Sequence, residues 1–227
     1  MQLVQFLLVG AGFLLQVLLI STLWSGAYKK YPFLFAWALF ALLGTLAEVA
    51  VVLELAKTGV TEQYNWVSEL TAEMLTLATL VSMFWNALEG QRGRTKRVLS
   101  VVGALGLYLA FSAWVSWNPN QMTSFFRNMS FGCMLLTLAL WLILLRHPNR
   151  PLLLICGGFG IQLAGTAIGH SLRYLSTYTV TAGNLMIMLS YLIGMSLFYI
   201  AVRVKAFPAP LARSHPECAI EADHLSV

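Results

Sequence analysis

Seven runs of apolar residues recur along this chain, at about 2–24, 32–56, 64–88, 98–117, 124–145, 151–174 and 181–204. Each is near the roughly 20 residues that an α-helix needs to cross the hydrocarbon core of a bilayer. The expected fold is therefore all-α, a polytopic bundle of seven transmembrane helices in one domain, residues 1–206. Residues 207–227 lose apolar density and periodicity, and they read as a disordered cytoplasmic tail. Composition agrees: 59% of the 227 residues are hydrophobic and only 10% charged, against about 25% charged in soluble domains. The first run has no basic leader and no small-residue cleavage site, so it reads as a retained span and not a signal peptide.

Basic residues orient the bundle. Lys29 and Lys30, then Arg92, Arg94, Lys96 and Arg97, then Arg146 and Arg150, and finally Arg203, Lys205 and Arg213 all fall on one side. Lys57, Arg127 and Arg173 fall on the other, leaving eleven of the fourteen basic residues on a single surface. That surface is expected to be cytoplasmic, with the N-terminus outside. Trp24, Tyr28 and Tyr31 flank the first cytoplasmic loop and Trp114 and Trp117 the outer end of helix four, as interfacial anchors. Pro32 and Pro151 open helices, where a missing amide donor costs nothing.

Within this apolar frame, helix three carries acids. It opens Tyr64-Asn-Trp-Val-Ser-Glu69-Leu-Thr-Ala-Glu73-Met-Leu-Thr76, and at 3.6 residues per turn Glu69, Glu73 and Thr76 share a face. A rise of 1.5 Å per residue puts Glu73 about 14 Å below Tyr64. A carboxylate at membrane depth costs about 2.5–3.5 kcal/mol on insertion scales, so that face should look into the protein or a wet cavity. Glu48 lies in the outer half of helix two. Gln162, Thr166, Gly169 and Arg173 form one stripe on helix six with His170 beside it, and Arg127 enters helix five at the same level.

The embedded acids and their candidate partners thus collect in the outer half of the bundle. One reading is structural: ion pairs, for example Glu73 or Glu48 with Arg173 or His170, that fix helix register. The other is an outward-facing polar pocket for a proton or a small cationic or zwitterionic ligand, using Glu48, Glu69, Glu73, Arg127, Gln162, His170 and Arg173. A metal site has weaker support, because no HxxxH or ExxH pair occurs on any span. Gly157, Gly158, Gly160, Gly165 and Gly169 strip side chains from helix six, which allows close helix approach or a locally flexible helix. Met186, Met188 and Met195 read as adaptable packing on helix seven. Leu43-Gly44-Thr45 and Ala164-Gly165-Thr166 form a faint echo that would fit duplicated three-helix units joined by helix four.

Several chemistries are disfavoured. Lys205 lies at or beyond the end of helix seven, so no retinal-linking lysine stands mid-span, and a single embedded histidine cannot supply bis-histidine haem. Cys133, Cys156 and Cys218 have no metal-ligand spacing. His215, Cys218 and His224 in the tail have mixed spacing that does not define a metal site. Asn128-Met-Ser130 fits a glycosylation sequon but sits at a helix entrance with poor access. No catalytic motif stands on an accessible loop, so no cofactor, nucleic acid or enzymatic reaction is expected.

Tyr31-Pro32-Phe-Leu opening helix two, Tyr64-Asn-Trp66-Val-Ser68-Glu69 opening helix three, and the Gly-rich helix six followed by Asn184-Leu make the chain resemble a family of uncharacterised bacterial seven-span proteins. In layout it is also similar to seven-span sensory input modules of bacterial signalling proteins. The resemblance implies a seven-helix fold in the bacterial inner membrane. The function expected is receptor-like or sensory, with output through the cytoplasmic face to a membrane or cytoplasmic protein partner. A small proton-coupled carrier with Glu73 as proton site, or a structural subunit of a larger membrane complex, are the alternatives.

Overall fold

The structure, a computed structural model, describes residues 2–52, 61–89, 93–115, 122–146, 149–175 and 179–203. They form seven α-helices: α1 (Gln2–Trp24), α2 (Pro32–Val52), α3 (Thr61–Ala87), α4 (Arg94–Val115), α5 (Met122–Arg146), α6 (Arg150–Leu175) and α7 (Val180–Arg203). Six of these, all but α2, are long and apolar enough to cross a membrane. The apolar stretch of α2 among the described residues is the shorter Pro32–Ala47. The end of the second expected span and the tail 207–227 lie outside the described residues.

Two glycines set helix boundaries. Gly26, at φ 132°, turns the chain out of α1 into a short 3-10 turn, Ala27–Lys29. Gly93, at φ 80°, precedes α4, and its carbonyl accepts from the Arg97 amide at 3.1 Å. Side chains disfavour both conformations. Because α4 starts there, Arg94, Lys96 and Arg97 belong to its first turn and not to a loop before residue 98, as hydropathy alone suggests.

Helix contacts close a ring. α1 packs on α2, α2 on α3, α3 on α5, α5 on α6, α6 on α7, and α7 back on α1; α4 attaches to the outside through α3 and α5. Inside the ring Trp37, Phe159 and Phe198 form an aromatic cluster, with centroid separations of 5.3, 5.5 and 4.7 Å. All three rings are buried. Trp37 Nε1 donates to Thr76 Oγ1 at 3.0 Å, which ties α2 to α3 at the same level.

The α6–α7 seam is the closest in the molecule. A Cβ at Gly158 would stand 2.5 Å from the Phe198 ring and 3.1 Å from the Gly194 carbonyl, and one at Gly169 would stand 2.7 Å from the Gly183 carbonyl. One at Gly165 would overlap Ser190. These glycines let two backbones touch, the close-approach role of small residues between membrane helices. Gly157 faces open space and Gly160 faces Thr137 on α5.

Tyr31 departs from its expected role as an interfacial anchor. Trp24 and Tyr28 are exposed, but Tyr31 is buried at the entry to α2. Its hydroxyl is enclosed without a hydrogen-bond partner among the described residues.

Candidate functional site

Glu73 lies on the part of α3 that packs against α5. Ser130, on α5, donates its hydroxyl to Glu73 Oε1. Cys133, one turn along the same helix, brings its thiol to the same carboxylate. Ser130 and Cys133 are three residues apart and so share a helix face. Glu73 Oε2 is enclosed, with no hydrogen-bond partner found for it among the described residues. The described groups that meet this acid, a hydroxyl and a thiol, carry no counter-charge, and Glu69, one turn away on α3, adds a charge of the same sign.

The polar face of α5 extends toward its start. Asn128 Nδ2 donates to Ser112 Oγ on α4 at 2.8 Å, and Ser112 is buried. Asn128 and Ser130, read in sequence as a glycosylation motif, thus serve two different neighbours, α4 and α3. The three residues expected on one face of α3 also diverge. Glu69 is exposed, Glu73 meets α5, and Thr76 is buried against Trp37 of α2.

The remaining sequence candidates lie elsewhere. Gln162 is half-buried on α6, its Oε1 enclosed without a partner among the described residues and beside Gly194 of α7. Arg173 is exposed and its Nε donates to Asn184 Oδ1 at 2.6 Å, joining α6 to α7. His170 is exposed on α6. Glu48 and Arg127 lie in α2 and α5, but their side chains are outside those described. The described candidates are thus distributed over two seams: Glu73 at α3–α5, and Gln162 and Arg173 at α6–α7.

A second polar knot was not singled out from the sequence. Gln16 on α1 is buried, and its Nε2 donates to Thr45 Oγ1 of α2 at 3.0 Å and to the Tyr191 hydroxyl of α7. An amide in the middle of the apolar run of α1 is a visible signal, since amides at membrane depth seek partners on neighbouring helices. No cluster of three or more metal-ligating side chains occurs among the described residues. Cys133 and Cys156 are both free thiols, and the Cys156 thiol donates to the Thr137 carbonyl at 3.2 Å.

Six apolar helices of spanning length, with a buried amide at Gln16 and a half-buried acid at Glu73 between them, fit a multi-pass helical membrane protein. Comparison with protein-family models, with curated proteins and with solved structures finds no match.

Proposed function

We propose that this is a receptor-like membrane protein whose Glu73 site takes up a proton or a small cationic or zwitterionic ligand between α3 and α5. The observation that carries the reading is the second oxygen of Glu73, enclosed and without a partner among the described residues. An acid at this depth is costly to keep, and a hydroxyl and a thiol do not neutralise it. Arg127, one turn before Ser130 in the sequence of α5, is the candidate counter-charge or ligand contact for this site. The bundle has seven spans with the N-terminus outside, a reading supported by the excess of basic residues on the opposite side. It sits in a bacterial inner membrane, and the similarity in layout to seven-span sensory modules supports a signal passed by helix movement to a separate partner.

The test is the thermal midpoint of the wild type and Glu73→Gln in one detergent, each screened against amines, amino acids and monovalent and divalent cations. A ligand present at 100 times its dissociation constant stabilises by about 2.7 kcal/mol. The expected result is a rise of roughly 5 °C or more in the wild type and none in Glu73→Gln. No shift with any compound together with the same pH dependence of the midpoint in both proteins, or the same ligand shift in both, overturns the proposal. So does a marked loss of stability in Glu73→Gln alone, which would make the carboxylate one half of a structural pair.

A further inference from the structure

On the flank of the bundle, α2, α3 and α4 border an open groove of about 380 Å³ lined by Phe33, Ala78, Val81, Ser82, Trp85 and Val98. Its volume falls in the roughly 300–1,000 Å³ of ligand sites. Apart from Ser82 its wall is apolar. From Ala78 to Trp85 the groove follows α3 for about 10 Å, a run suited to a stretch of extended hydrocarbon. Phe33 and Trp85 keep 45% and 40% of their surface exposed, so both side chains are accessible to an occupant.

One end of the groove is charged. The Arg94 guanidinium lies 4.0 Å above the Trp85 ring. Its Nε is enclosed without a hydrogen-bond partner among the described residues. Arg94 and Val98 are one turn apart on the same face of α4, so the guanidinium caps the channel that Val98 lines. Lys96 and Arg97 are exposed beside it, and no acidic residue stands in the first turn of α4. Glu89, exposed just beyond α3, leaves the cluster with a net positive charge.

We propose that this groove is a binding site for an anionic phospholipid, with its phosphate at Arg94 and one acyl chain laid along α3 between Phe33 and Val98. A free phosphate would answer the charge and leave the apolar channel unfilled. A zwitterionic lipid would fill the channel and leave the cationic cluster without a net negative partner. The anionic lipid does both, and basic clusters at a membrane surface attract anionic headgroups.

Trp85 provides the readout. The full chain is placed in bilayers containing dibrominated phosphatidylglycerol or dibrominated phosphatidylcholine, and quenching of Trp85 is taken as the wild-type signal minus that of Trp85→Phe. The expected result is half-maximal quenching at about fivefold lower mole fraction of the anionic lipid, with the preference lost in Arg94→Gln. Lys96→Gln, farther from the groove, should reduce the preference without removing it. Equal quenching by both lipids, or by neither, overturns the proposal, as does a preference that survives intact in Arg94→Gln. If inorganic phosphate alone abolishes the preference at millimolar concentration, the cluster is a soluble-anion site and the lipid assignment fails.

Discussion

The Ser130 hydroxyl is donated to the Glu73 carboxylate across the seam between α3 and α5. Removing the hydroxyl therefore tests the acid without touching it. Ser130→Ala should destabilise the wild type by about 1 kcal/mol, the scale of interhelical hydrogen bonds in membranes. In the Glu73→Gln background the same change should cost less, because an unpartnered amide is cheaper to bury than a carboxylate. A double-mutant cycle on unfolding in mixed micelles measures the difference.

The α6–α7 seam makes a sharper contrast. Gly165→Ala would place a methyl where Ser190 already is, forcing the helices apart, at a cost of about 1–3 kcal/mol. Gly157→Ala, on the same helix but facing open space, should be neutral or slightly stabilising, since alanine favours helix over glycine. Thermal midpoints of the two variants in the same detergent give the comparison.

At the centre of the ring, Trp37 both fills the aromatic cluster and holds Thr76. Trp37→Ala should cost about 3–5 kcal/mol, whereas Trp114→Ala, 75% exposed on α4, should change stability by about 0.5 kcal/mol or less. Denaturant titration followed by circular dichroism separates these two outcomes.

Tyr31 carries a pH dependence. Burial pushes its phenol above the ordinary tyrosine range. The folded state thus holds the proton more tightly than the unfolded state. The associated stability is present below the unfolded value of about 10 and is lost as pH rises through the folded one. Tyr31→Phe should remove part of the alkaline loss of stability above pH ~10. It should also be no less stable at neutral pH, because the hydroxyl it deletes is enclosed without a partner among the described residues. Thermal midpoints of both proteins across the alkaline range test this.

Hydropathy locates the helices because the cost of polar backbone in hydrocarbon dictates both their length and their type. It fails at α4, where the basic residues after Gly93 are helical: a positive-φ glycine, and not the loss of apolar character, marks the boundary. Periodicity gives the face shared by Glu69, Glu73 and Thr76, but no rule of spacing says which helix that face meets. Neighbours depend on the ring, in which α3 touches α5 and α4 stands aside. Ser130 was hidden for the same reason, since its partner lies 57 residues away in sequence. Tyr31 beside two lysines looks interfacial in sequence, and only the packing of α2 against its neighbours encloses it.

The ring has a bearing on how the protein is made. Gln16 belongs to α1, whereas the Tyr191 hydroxyl to which it donates is 175 residues further on, in α7. A ribosome adds about 5–20 residues per second. The α1 amide therefore waits on the order of ten seconds or more in the nascent chain before its tyrosine has even been synthesised. Through that interval Thr45 of α2 is the partner within reach. Assembly completes only when α7 is laid against α1, so late insertion of the seventh helix decides the fate of the first.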